Sequence, residues 1–189
     1  MGSSSPPIRT PGLFLPVLIL FLGGFSGPVS AQGTEGHPPP PDPADVESVD
    51  AIMAAVYDVI SGGAGEARDW DRWRSLFIPE ARLIALGVNP EGETTYRVMT
   101  PEDYVQQAGA SLERSGFFET EIGRTQEEFG PVVHLFSAYE SKRAPTDPEP
   151  FARGINSFQL MNDGNRWWVV TVYWTSERPD LPIPERYIR

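Results

Sequence analysis

The stretch FARGINSFQLMNDGNRWWVVTVYW, residues 151–174, decides the fold. Apolar residues alternate through 151–161 and again through 167–175, which is the period of strands with one buried face. Between them Asn162-Asp163-Gly164-Asn165 is a hairpin turn, with a glycine free to take positive φ. The same stretch sets Arg153, Asn156 and three tryptophans (167, 168 and 174) among apolar positions. Those polar groups either line a pocket or stitch a sheet.

Reading backwards, the period of two persists to Gly116. VVHLFSAYESK, residues 132–142, is one strand, Gly130-Pro131 a corner, and residues 117–129 another strand. Before Gly116 the period is near 3.6. Asp45 caps a helix whose stripe is Val46, Val49, Met53, Val56 and Ile60, widened by Ile52 and Tyr57 and stopped at Gly62-Gly63. A short helix over residues 69–77 puts Trp70, Trp73 and Phe77 on one face, with Pro79 ending it. Residues 81–88 and 94–99 form a strand pair about the turn Asn89-Pro90-Glu91-Gly92. Thr100-Pro101-Glu102-Asp103 then opens a third helix that buries Tyr104, Val105, Ala108 and Leu112. Helices followed by a run of antiparallel strands predict an α+β fold, with helices covering one side of a curved sheet.

The first 31 residues stand apart. Arg9 is the only charged side chain before Glu35, residues 13–25 are apolar, and Val29-Ser30-Ala31 has the small residues a signal peptidase reads. This predicts an export signal over 1–31, cleaved after Ala31, with secreted or periplasmic localisation. The run is short for a membrane span of ~20 residues and is broken by Pro16 and Gly23-Gly24, so stable membrane insertion is not expected. Residues 32–44 read as a proline-rich tether holding a solvated His37. The folded domain is expected over 45–178, with an extended tail over 179–189 carrying Pro179, Pro182 and Pro184.

The net charge is −11, and loss of Arg9 with the leader makes it −12. An acidic surface repels phosphate backbones, so nucleic acid is not an expected partner. There is no cysteine, hence no disulfide framework. One domain histidine without cysteine argues against a transition-metal site. GxxxxGK[ST], GxGxxG and a nucleophile elbow are all missing from residues 32–189, and no cofactor is expected.

Three stretches carry a resemblance. DWDRWRSLFIPEARLI is similar to a helix-into-first-strand segment, GPVVHLFSAYESKR to a glycine corner opening a long central strand, and RGINSFQLMNDGNRWWVVTVYWTSERP to a closing hairpin. Together with the element order over 45–178 they resemble the nuclear transport factor 2-like superfamily, including SnoaL-like cyclases. The resemblance implies a cone-shaped, curved mixed or antiparallel sheet packed against three helices around a cavity. It implies a pocket rather than a reaction, since members include isomerases, dehydratases, hydrolases, cyclases and plain binders. Isomerases of this fold take a carboxylate base from the first strand region. Here Arg82 to Leu86 (RLIAL) holds no acid, which counts against that chemistry.

Candidate site residues follow. His134 sits mid-strand on the face of Val132, Phe136 and Ala138, and an imidazole in an apolar cavity suits acid–base work; the plain alternative is a core histidine hydrogen-bonded to a neighbour. Arg153 and Asn156, three apart, point to opposite faces, so at most one lines a pocket unless a bulge at Gly154 changes the phase. The alternative pairs Arg153 with Glu140 and lets Asn156 satisfy backbone groups. Trp70, Trp73, Tyr57 and Tyr104 are expected to close the cavity from the helices, a spacing that fits core packing equally well, together with Phe136 from the sheet. Tyr139 lies opposite in phase to His134. Asp69 and Asp71 read as a helix start, and the tryptophans of the last strands as core or dimer packing.

Two readings of function follow. In the first, an exported, cofactor-free domain binds a small, mostly apolar molecule, with lyase, isomerase or hydrolase chemistry by His134 if it is an enzyme. In the second it is a non-catalytic domain, a homodimer joined through its sheet or a ligand carrier.

Overall fold

The computed structural model describes residues 38–188. The expected export signal and His37 lie outside the described residues. Among the described residues, five α-helices, a π-helical turn and six strands build the domain: α1 (Pro43–Val46), α2 (Val49–Ile60), α3 (Trp70–Ser75), β1 (Phe77–Val88), β2 (Thr94–Met99), α4 (Pro101–Tyr104), a π-helical turn (Val105–Gly109), α5 (Ala110–Ser115), β3 (Phe118–Phe129), β4 (Val132–Lys142), β5 (Ala152–Asn162) and β6 (Trp167–Ser176). The last four strands fall within a residue or two of the sequence expectation.

One sheet runs in the order β2-β1-β6-β5-β4-β3. All pairings are antiparallel except β1 with β6, which is parallel. The helices cover one face, called inner here. Val133, Leu135, Phe158, Leu160, Val169 and Leu83 point inward to Ile52, Met53, Val56 and Ile60 of α2, all buried. Each such aliphatic contributes roughly 1.5–3 kcal/mol relative to exposure. Among the described residues no helix is long and apolar enough to cross a membrane.

The first helix differs from expectation. Asp45 is not its cap: Asp42 caps α1 and Ser48 caps α2, accepting from Ala51 N–H at 3.1 Å. Asp45 instead grips the Arg72 guanidinium through two bonds of 2.7 and 2.8 Å. β1 also begins earlier than expected, at Phe77, because Pro79 falls in a register shift between Phe77 and Arg82, where a missing N–H breaks no ladder bond. The third helix opens with a full capping box of Thr100 and Asp103, then widens into the π turn. Such turns often sit beside functional sites.

Two devices tie helices to sheet. Arg68 is buried, and its guanidinium donates to the carbonyls of Ile60 (3.1 Å), Gly62 (2.6 Å) and Glu66 (2.6 Å), closing off the α2 C-terminus. Gly62 and Phe117 then exchange backbone bonds of 2.7 and 3.0 Å, docking that end on the start of β3. Residues 178–188 fold back over the sheet's outer face, with Tyr187 beside Phe136 at 5.5 Å.

Candidate functional site

Five residues of β4 alternate inward as Val133, Leu135, Ser137, Tyr139 and Ser141, all buried. The apolar half of this row meets α2. The polar half faces the end of the domain where Trp73 and Tyr104 stand. Trp73 donates its indole N–H to Pro101 O (3.2 Å), and its ring stacks on Tyr104 at 4.9 Å. Between these rings and the sheet lies a cavity of about 190 Å³ lined by Trp73, Tyr104, Glu119, Tyr139, Asn156 and Trp174, among others. Phe117 and Phe151 also line it, their rings 6.1 Å apart, with the Arg143 guanidinium 3.9 Å over Phe151.

Glu119 is the carboxylate in this wall. Ser61, at the α2 C-cap, accepts the Glu119 backbone N–H (3.0 Å) and fixes this point of β3. Ser141 Oγ donates to Glu119 Oε2 (2.9 Å), and Asn156 Nδ2 donates to Oε1 (3.3 Å). Burial pushes the carboxyl up to about 7, although both hydrogen bonds pull the other way. At neutral pH such a group exists in both forms, which suits a general acid or base.

Behind Asn156 the network continues. Its amide also donates to Tyr57 Oη (3.2 Å), Tyr57 meets Ser137 Oγ (2.6 Å), and Ser137 donates to Glu121 Oε1 (2.6 Å). Because the Ser137 hydrogen is committed to Glu121, Tyr57 is the donor to Ser137, and every direction in the chain is set. Burial raises the Tyr57 phenol, with the Glu119 charge adding to it. Tyr104 is raised by the same two causes, yet its hydroxyl makes no hydrogen bond among the described residues.

The sequence candidates divide accordingly. Trp73, Tyr104 and Asn156 line the cavity together. Tyr57 stands behind Asn156, facing a groove between α2 and β3 rather than the cavity. His134 and Phe136 are on the outer face: period two sends them away from Tyr139, and His134 meets Ser157 Oγ (3.3 Å) and the Phe136 ring (5.6 Å). The expectation that His134 lies in the cavity is therefore corrected. Arg153 is also on the outer face. It stands opposite Glu140 in register, but its guanidinium pairs with Glu177 (3.2 Å) while Glu140 pairs with Lys142 (3.5 Å).

Glu119 escaped the sequence reading. In FETEIGRTQEEF the acids of an edge strand look like solvated charge, and no local signal marks one as buried. The usable signal was non-local: Ser137, Tyr139 and Ser141 form a polar row on the inward face of β4, which requires partners. The carboxylate in the inner cavity wall thus comes from β3. Among the described residues, no three His, Asp or Glu side chains gather to hold a metal.

No protein-family model matches the chain, and no curated protein matches it. Solved structures do. A protein of unknown function with a cystatin-like fold from Nostoc punctiforme superimposes with a TM-score of 0.52 at 13% identity, covering 71% of this chain and 91% of that one. An uncharacterised cystatin-like protein from Caulobacter vibrioides gives 0.51 at 13%, covering 71% and 90%. LinA gives 0.51 at 8%, covering 70% of this chain and 85% of LinA. At these identities the likeness is one of fold, and the chain has an α+β cone fold of the cystatin-like kind, a curled six-stranded mixed sheet packed with helices.

Proposed function

We propose that this protein binds a small, mostly apolar molecule bearing one carbonyl oxygen in the inner cavity, and that Glu119 moves a proton on it. The reading rests on one observation: the Glu119 carboxyl, held by Ser141 and Asn156 and pushed up by burial, stands in the wall of an apolar cavity of about 190 Å³. A cavity of roughly 150 Å³ already holds benzene, so a one- or two-ring molecule is the right size. In the proposed step the Glu119 carboxylate takes a proton from the carbon beside the carbonyl. The C–H electron pair moves into the enolate, whose oxygen accepts from the Tyr104 hydroxyl. Returning the proton to another carbon gives an isomerase; loss of a leaving group gives a lyase. Neither needs a cofactor.

Deuterium exchange tests this directly. Cyclohexenone incubated with the protein in D2O should incorporate deuterium at the carbons from which its enolates form, read by NMR. Glu119→Gln should return exchange to background, and Tyr104→Phe should slow it by roughly ten- to a hundredfold, as for loss of one oxyanion donor. Equal exchange by wild type and Glu119→Gln would remove the acid–base role.

The composition of residues 1–31 supports export as the setting. Protein recovered from its own host is then expected to begin at Gln32. A second reading, association through the outer face, is favoured by Tyr96 (73% exposed) and Val98 (51%) on β2. Light scattering of the purified protein distinguishes a dimer from a monomer.

A further inference from the structure

The outer face of the sheet carries a cavity of its own, about 210 Å³, roofed by the C-terminal segment. The roof is pinned at both ends. At one end Glu177 pairs with Arg153 (3.2 Å) and accepts the Ile183 N–H (2.8 Å). At the other, Tyr187 lies against Phe136, and its carbonyl passes so close to Gly123 that a Cβ there would stand 2.5 Å from it. Ala138, which points outward beneath this end, is completely buried. Between the pins, Pro182 and Pro184 line the cavity. Proline holds a chain extended and has no N–H, so this roof neither collapses onto the sheet nor turns unmet donors into an apolar space.

The floor is a row across three strands. Phe136, Ser157 and Tyr173 are neighbours in register, so the small Ser157 sits between two large rings, with Ile155 beside it. Ser157 Oγ is the polar atom at the centre of this row, and His134 Nε2 stands 3.3 Å from it. Only Glu177 among the lining residues carries charge, and Arg153 already neutralises it. Trp174 contributes to both cavities, but the sheet separates them.

We propose that this roofed cavity is a second binding site, for a neutral molecule with a one- or two-ring apolar body and a single hydroxyl or carbonyl oxygen. The ring body fills the space between Phe136, Tyr173 and Ile183. The oxygen bonds to Ser157 Oγ, whose partner His134 donates or accepts as the ligand requires. A negative charge is excluded because no free cation lines the site.

The probe is 2-naphthol, titrated into the 15N-labelled protein and read by amide NMR. Saturable shifts at Ile155, Ser157, Tyr173 and Ile183 are expected, whatever happens at Glu119 and Asn156 on the inner face. Ile155→Trp, which fills the space, and a chain ending at Arg178, which lacks the roof, should each abolish the outer set. Ser157→Ala should weaken outer binding by roughly fivefold, one neutral hydrogen bond. Absence of outer shifts in the wild type overturns the proposal, as does unchanged affinity in whichever of these variants retain the native fold by circular dichroism. Inner-face shifts in the same spectra report separately on the inner cavity.

Discussion

The Asn156 amide and the Glu119 carboxyl are joined by a 3.3 Å hydrogen bond although their strands, β5 and β3, are not neighbours. β4 runs between them. Asn156 stands opposite Ser137 and Glu119 opposite Ser141, with Tyr139 the inward residue of β4 between the two serines, so the bond runs diagonally across β4. Ser141 Oγ and Asn156 Nδ2 hold the carboxyl from two directions.

That arrangement fixes the direction of a titration experiment. Asn156 and Ser141 both donate to the charged form of Glu119 and so lower a midpoint that burial raises. Asn156→Ala and Ser141→Ala should each move it upward from about 7. Side-chain carboxyl 13C shifts followed against pH measure it, and a downward move in either variant contradicts the arrangement.

Stability should carry the same signature. Glu119 has a folded midpoint above the ordinary value of 4.5. Between pH 4.5 and 7 the unfolded chain ionises there while the folded one keeps its proton, so unfolding is increasingly favoured as pH rises through this window. Below it both states are protonated and the group contributes no difference. Glu119→Gln lacks this penalty. Its melting temperature relative to wild type should be near equal at pH 4, climb through the window and level off above pH 7.5.

Arg68 gives a test of the frame rather than the site. Its guanidinium satisfies three carbonyls at the end of α2 at distances of 3.1 Å or less. Arg68→Met leaves these acceptors buried and unmet, at about 1–3 kcal/mol each, partly recovered by water. A loss of roughly 3 kcal/mol in urea unfolding is expected. Hydrogen exchange should quicken first at Gly62 and Phe117, whose amides make the neighbouring bridge.

Gly154 is constrained by space, not by backbone angle. A Cβ there would lie 2.5 Å from the Tyr139 hydroxyl and closer still to Thr175 O. Gly154→Ala must push the Tyr139 ring or the β5–β6 ladder aside, at about 1–3 kcal/mol. Because Tyr139 lines the inner cavity, ligand affinity there should fall along with the melting temperature.

The strands were legible in the sequence because their alternation is long and the turns at Gly130 and Gly164 carry glycines, which adopt φ of 57° and 94°. The faces were legible too: Asn156 with Phe158 and Leu160, Arg153 with Ile155 and Ser157. What alternation cannot supply is which face the helices choose, since both faces of β4 carry apolar residues. His134 and Phe136 therefore ended opposite the cavity, and Glu119 inside it. The break between α1 and α2 was hidden for a different reason. Asp45 looks like a cap, and only its distant partner Arg72 shows that its charge is used elsewhere. The folded-back C-terminus depends on the bare backbone of Gly123, some sixty residues upstream, which no local pattern announces.

The parallel pairing of β1 with β6 has a consequence in time. The strand that holds β1 in the sheet is the last of the six to be synthesised, so β1, β2 and the helices around them have no completed sheet to close upon until residue 176 has emerged. Pairings so distant in sequence slow the search for the native state and leave the early hairpin edge open meanwhile. Synthesis of this chain should therefore yield no protease-resistant fragment short of β6. Resistance should arrive in one step, once the final strand slots between β1 and β5.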